Sequence, residues 1–301
     1  MSGLNHASAQ RKGIILAGGS GTRLWPITIA VSKQLLPIWD KPTIYYPLTT
    51  LMDAGIREYL IISTARDIPL FRNLFGDGSH LGISINYAVQ NAPNGIAEAL
   101  IIAEEFLDHC PCALILGDNI FHGTEIRWVL KTAVKCKTNS IIACPVADPE
   151  RYGVIHQDAS GKIREIIEKP KRPESNFAVT GLYFYDSSAP QRAQKLSPSD
   201  RNELEITDLN RAYLHDNCLD AHYLTEDATW LDTGTNYTLL QASQLIETIQ
   251  SRQGILIGSP ELAALEQRWI DRADVLKSID QFEKSSYSKM LSSVLKTRFD
   301  L

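Results

Sequence analysis

Apolar residues along this chain fall into short unbroken runs that alternate with longer stretches of helical periodicity. Residues 13 to 17, GIILA, form one such run, ended by glycines. A strand buried on both faces of a parallel sheet reads this way, since neither face needs polar side chains. The segment from Thr43 to Ala54 sets Tyr45, Leu48, Leu51 and Met52 on one face with Gly55 behind it, which predicts a helix and its stop. Strands are then predicted over residues 59–63, 83–89 and 113–116, and helices over 68–75, 96–107 and 125–135. Alternation in this order describes βαβ units wound on a parallel sheet.

After Ser140 the rhythm changes. The strand IIACPV precedes residues 153–157, a turn Asp158-Ala159-Ser160-Gly161, and residues 162–168, which together predict a β-hairpin inserted into the α/β body. An aromatic-rich strand follows over 177–185. A helix from Glu205, a strand over 221–224 and a long periodic segment over 237–252 complete the core. Residues 254–301 are amphipathic, with Leu262, Leu265, Trp269 and Ile270 on one helical face. The expected organisation is a disordered lead over 1–10, a Rossmann-like α/β domain with a mostly parallel mixed sheet over 11–252, and a helical extension over 253–301 packed on the core or a second subunit.

Composition narrows the class. With 301 residues, 44% of them hydrophobic, the chain can bury a substantial core. A net charge of −5 argues against nucleic acid as a general partner, because phosphate-backbone binding needs a basic surface. No apolar run is long enough to span a bilayer, and MSGLNHASAQ lacks the apolar centre of a secretory signal, so a cytoplasmic protein is expected. The five cysteines, Cys110, Cys112, Cys136, Cys144 and Cys218, show no framework spacing and are read as reduced thiols. Cys110-Pro111-Cys112 has no second pair to complete a metal site.

The chemistry concentrates in KGIILAGGSGTRLWPITIAVSKQLLP, Lys12 to Pro37. Gly18, Gly19 and Gly21 lack a Cβ, so backbone N–H groups beside Thr22 can approach phosphate oxygens closely, while Arg23 and Lys33 bring fixed positive charge. The loop does not end in Gly-Lys-Ser/Thr, so it is no P-loop. A dinucleotide fingerprint fits in part, with Asp40 near the distance of a ribose-binding acid, but Leu24 replaces the third glycine and Pro26 opposes the helix that should start there. In open α/β sheets ligands lie beyond the carboxyl ends of strands, which makes Asp118 in LILGDN and Asp232 in WLDTGT candidate Mg2+ ligands. A turn or helix cap is the other reading of Asp118. Asp232-Thr233-Gly234 also spells the aspartic-protease triplet, but a dyad needs two and the chain has one. Glu168-Lys169-Pro170 suits a sugar phosphate, or else a solvated strand end. Gln90 could read a pyrimidine by donating and accepting at once, with Gly95 letting backbone approach the base.

GIILAGGSGTRLWPIT, SKQLLP, LILGDN, ERYGVI, EKP, AVTGLYFYD, ELEITDLNRAYL and WLDTGT together resemble the glucose-1-phosphate thymidylyltransferase family of sugar nucleotidyltransferases, from about Lys12 into the C-terminal helices. That resemblance implies a Mg2+-dependent enzyme that joins dTTP and glucose 1-phosphate into dTDP-glucose and pyrophosphate, opening dTDP-rhamnose synthesis. It implies Arg23 as catalytic arginine with Lys33 beside it, base contacts at Gln90 and Gly95, metal ligands at Asp118 and Asp232, and sugar contacts at Gly153, Glu168 and Val179. Lys169 and Arg201 would meet the sugar phosphate. Asn202 follows Arg201 where the family usually has glycine, and His122 stands where tyrosine is common. The C-terminal part is similar to members that form homotetramers and bind the pathway end product at an interface. Enzymes using UTP or GTP, a nicotinamide oxidoreductase and a non-catalytic nucleotide sensor stay open at this stage.

Overall fold

The computed structural model describes residues 10–19, 21–135 and 138–299; the lead expected over 1–10 lies outside these save for Gln10, as does Cys136. In chain order the elements are β1 (Lys12–Leu16), a ribbon of β2 (Pro37–Ile38) and β3 (Lys41–Pro42), α1 (Tyr45–Asp53), β4 (Glu58–Ser63), α2 (Ile68–Phe75) and β5 (Ser84–Val89). Next come α3 (Glu98–Ile102), α4 (Glu104–Leu107), β6 (Cys112–Leu116), β7 (Asn119–His122), α5 (Thr124–Lys135), β8 (Asn139–Pro145), β9 (Gly153–Gln157), β10 (Ile163–Glu168) and β11 (Phe177–Tyr185). The chain ends with α6 (Ala189–Ala193), α7 (Ile206–His215), β12 (Leu219–Tyr223), β13 (Thr229–Asp232), α8 (Asn236–Gln253), α9 (Pro260–Glu266), α10 (Arg272–Gln281) and α11 (Ser286–Phe299).

The fold is the expected α/β architecture with a mostly parallel mixed sheet. β5, β4, β1 and β6 pair parallel, β11 runs antiparallel between β6 and β8, and β12 pairs parallel with β8. The unbroken apolar run of β1 has a direct cause. Ile14 and Leu16 join one buried cluster with Leu100, Leu114 and Tyr213, while Ile15 joins another with Leu48, Phe71 and Ile115, so both faces are covered by helices.

The structure agrees with the sequence reading in places and departs from it in others. The helix expected over 96–107 divides at Ala103 into α3 and α4, and its first residues are held outside it because Ala97 N donates to Leu204 O. The 153–168 hairpin forms as expected, with β9 and β10 antiparallel. β9 pairs with β11 through Val154 and Ala178 and so continues the main sheet. β7 and β13, for which no strand was expected, form a two-stranded antiparallel ribbon. Their partners are far apart in sequence, and four-residue strands carry little local signal.

The C-terminal helices form a small core of Leu262, Val275, Ile279, Leu291, Val294 and Leu295. α9 also packs on α1. Asp40 lies in this region, paired with Lys41 Nζ at 2.5 Å and accepting from Gln250 Nε2 at 3.1 Å. It thus serves a buried ion pair, which removes the ribose-binding reading. The described cysteines, Cys110, Cys112, Cys144 and Cys218, are free thiols. No helix among the described residues is long and apolar enough to cross a membrane.

Asp53, at the end of α1, meets Arg127 Nε at 3.5 Å, and Arg127 also binds Glu266 of α9. Burial pushes the Asp53 carboxyl up to about 6, partly opposed by Arg127 and reinforced by Glu266. The folded state therefore holds this proton more tightly than the unfolded chain, so stability falls as pH rises from about 4 to about 6 and then levels off. Asp53→Asn is expected to raise the urea midpoint at pH 8 by an amount worth at most about 3 kcal/mol, with the gain vanishing toward pH 4. A gain independent of pH would contradict this.

Candidate active site

β1 and β6 end side by side, with Leu16 in register with Leu116, so the chain leaves the sheet at neighbouring points into Gly18 and Asp118. On the edge of β11 opposite β8, β6 pairs with residues 182–185 and β9 pairs at Ala178. Between them Val179, Thr180 and Gly181 have no strand neighbour on that side, and a cleft of about 640 Å³ opens there. Gly18, Gly19, Thr22, Arg23, Lys33, Gln90, Gly95, Asp118, Gly153, Glu168, Lys169, Val179, Arg201 and Asp232 all line it. Of the residues expected at the site, Gly21 alone stays out of the lining. It adopts φ 58°, its carbonyl accepts from Thr28 Oγ1 at 2.9 Å, and a Cβ would sit 2.8 Å from the Thr28 methyl, so it closes the turn behind the loop.

The ribbon of β7 and β13 brings the two aspartates together. Asp232 lies in register with Asn119, and Asp118 O accepts from both Thr233 N at 3.2 Å and Thr233 Oγ1 at 2.9 Å. Lys33 Nζ donates to Asp118 Oδ2. Burial disfavours the Asp118 charge, yet the Lys33 ammonium and hydrogen bond outweigh it and hold the carboxyl below its ordinary range. Asp232 is shifted the other way, by burial first and then by the Asp118 charge, with Lys33, Arg23 and Arg151 offsetting part of it. Arg23 lies beside Gly234: a Cβ there would stand 2.9 Å from the Arg23 guanidinium and 3.1 Å from Asp232 Oδ1. The guanidinium therefore faces Asp232.

At the far end, Glu168 Oε2 accepts from Thr207 Oγ1 at 2.7 Å, and Glu168 Oε1 meets Lys169 Nζ at 3.2 Å and Arg201 at 3.4 Å. Arg201 also holds Glu205 in two hydrogen bonds of 2.8 and 2.9 Å from one nitrogen. Asn202 has φ 60°, a left-handed conformation that glycine adopts freely and asparagine tolerates, so the departure from glycine leaves this turn intact. Gly153 makes room, since a Cβ would stand 3.2 Å from Thr207 Oγ1 and 3.4 Å from Glu168 Oε2.

Sequence reasoning missed Arg151 and Asn119. Arg151 binds Asp148 at 2.6 Å, reaches Asp232 at 3.6 Å and lies over Tyr152, which packs edge-on against Trp230. Asn119 is the junction of three elements: its Oδ1 accepts from Gly181 N at 3.1 Å and Trp230 Nε1 at 2.6 Å, while its Nδ2 donates to Asp118 Oδ1 at 3.1 Å. Both sit inside motifs whose neighbours drew the attention.

A glycine loop and converging cations at the ends of parallel strands, with a carboxylate pair completed by an antiparallel ribbon, suit an enzyme that acts on nucleotides, a nucleotidyltransferase. The chain belongs to the nucleotidyl transferase family, whose profile matches residues 12–249. Within that family it is similar to glucose-1-phosphate thymidylyltransferases. It is 51% identical over 288 residues to the one from Xanthomonas campestris pv. campestris (strain B100), covering 95% of this chain and 98% of the relative. It is 48% identical to that of Neisseria gonorrhoeae over 281 residues, covering 93% and 98%. Among solved structures, a putative glucose-1-phosphate thymidylyltransferase from Bacillus anthracis in complex with a sucrose superposes with a TM-score of 0.72 at 40% identity, covering 78% of this chain and 94% of that one.

Asn119→Ala would leave the Gly181 and Trp230 N–H groups without their acceptor. It is expected to destabilise the fold by about 2–4 kcal/mol, read as a lower urea midpoint. An unchanged midpoint would show that neither hydrogen bond matters.

Proposed function

We propose that this protein transfers a thymidylyl group from dTTP to glucose 1-phosphate, releasing pyrophosphate. The observation that carries this reading is the meeting, in one cleft, of the glycine loop with Arg23 and Lys33, the Asp118–Asp232 pair, Gln90 at one end, and Glu168, Lys169 and Arg201 at the other. A phosphate oxygen of glucose 1-phosphate attacks the α-phosphorus in line; the new O–P bond forms as the bond to the β-phosphate breaks, and pyrophosphate leaves with that electron pair. No covalent bond to the protein is needed. Gly18 and Gly19 let the backbone close on the polyphosphate, and Arg23 and Lys33 neutralise it. Lys169 and Arg201 hold the attacking phosphate against its repulsion by the nucleotide, while Glu168, Gly153 and Val179 border the sugar.

The residues fit a divalent cation. Two neighbouring carboxylates, one of them disfavoured as an anion by burial and by the other, gain from a cation between them, so Asp118 and Asp232 would hold Mg2+. When bound, that ion supplies further charge neutralisation on the polyphosphate.

In the same reading the enzyme is cytoplasmic, opens dTDP-rhamnose synthesis and works as a homotetramer. Self-association is supported by Trp39, Tyr237 and Leu240, which are exposed by 49%, 70% and 57%, with Trp39 N hydrogen-bonded to Ser243 of the same helix as the other two.

Pyrophosphate release over a matrix of nucleoside triphosphates and sugar 1-phosphates should peak with dTTP and glucose 1-phosphate. A peak with UTP would move the assignment to the uridylyl reaction, since one methyl group is worth only about 1–3 kcal/mol of discrimination. Arg23→Ala is expected to lower kcat by about 10²- to 10⁴-fold with nucleotide binding weakened much less. Near-normal turnover would remove Arg23 from the chemistry. Excess EDTA should abolish turnover and added Mg2+ restore it; persistence under chelation would refute the two-aspartate site.

A further inference from the structure

The carboxamide of Gln90 is buried at the end of β5, and its surroundings leave it only one way to meet a base. Its Nε2 donates to Glu98 Oε2 at 2.7 Å and to Gly95 O at 3.3 Å. A carboxylate accepts and cannot donate, so Glu98 fixes which end of the amide is the nitrogen, and with Gly95 O it engages the N–H groups. The oxygen faces the phosphate loop: a Cβ on Gly18 would stand 2.8 Å from Gln90 Oε1. Glu98 is held in turn. Its Oε1 accepts from Asn94 Nδ2 at 2.8 Å, and the 94–97 loop is tied to Leu204 through Leu204 N to Asn94 O and Ala97 N to Leu204 O.

We propose that Glu98 is a specificity-determining positioning residue that locks Gln90 as a pure hydrogen-bond acceptor and thereby selects bases with a protonated ring nitrogen. The inference rests on the reading of Gln90 as the base contact. It refines the sequence expectation, in which Gln90 both donates and accepts. Thymine and uracil carry N3–H and satisfy the acceptor. Cytosine presents a lone pair at N3, which would oppose Gln90 Oε1 and leave both acceptors unpaired.

A carboxamide freed from Glu98 can rotate and offer its N–H₂ to cytosine. Glu98→Ala is therefore expected to raise KM for dTTP about tenfold with kcat changed less than about twofold, and to narrow the ratio of kcat/KM for dTTP over CTP about tenfold, with KM for glucose 1-phosphate unchanged. Glu98→Gln keeps an acceptor oxygen for Gln90 and should restore most of that ratio. Asn94→Ala, at an exposed position, loosens Glu98 from outside and should shift the ratio the same way by about twofold, which covers the case in which Glu98→Ala does not fold. In a Gln90→Ala background, Glu98→Ala should change the ratio no further.

Two failures are distinguishable. If Gln90→Ala shifts the dTTP over CTP ratio and neither Glu98→Ala nor Asn94→Ala does, the positioning role of Glu98 is overturned while the base contact stands. If Gln90→Ala leaves the ratio unchanged, the base reading itself falls, and this inference falls with it.

Discussion

Two acidic side chains that repel one another are held adjacent by backbone hydrogen bonds, and the rest of the site is arranged around that fact. The carbonyl of Asp118 receives the N–H and hydroxyl of Thr233, so the positions of Asp118 and Asp232 are set by the β7–β13 ribbon and do not depend on their own charges. Asn119 then ties this ribbon to β11 at Gly181, across the gap between β6 and β9. The cleft exists because that edge of β11 has no strand partner over Val179 to Gly181, and Asn119 gives the Gly181 N–H in the gap an acceptor.

Charge is balanced locally around this pair. Lys33 serves Asp118, whereas Asp232 faces Arg23 and Arg151 and is left the less comfortable anion. At the other end Arg201 and Lys169 are occupied by Glu168, Glu203 and Glu205. Cations there are positioned before any anion arrives, which lowers the cost of ordering them on binding. Thr207 performs a comparable service for Glu168 by fixing one of its oxygens.

Local pattern made most elements legible. β1, β4, β6 and β11 are largely apolar runs buried on both faces, α2 and α5 have clear periodicity, and glycine stops close α1 and α2. Part of the candidate site was legible for a different reason: Gly18, Asp118 and Asp232 lie just after apolar runs, where α/β sheets place ligands. What escaped depended on distant pairing. β7 and β13 are separated by about a hundred residues of chain, and it is through that ribbon that Arg151 reaches Asp232 and Asn119 reaches Trp230.

The amino-acid sequence by itself determined the parallel α/β scaffold and the inventory of chemical groups, because burial on two faces and backbone freedom at glycine are properties of short segments. The tertiary structure decided which carboxylate sits low and which high, and that Asp40 is held against Gln250. Those outcomes depend on neighbours brought in from far along the chain, such as Lys33 against Asp118 and Gln250 against Asp40, and no window of local sequence contains both members of such a contact.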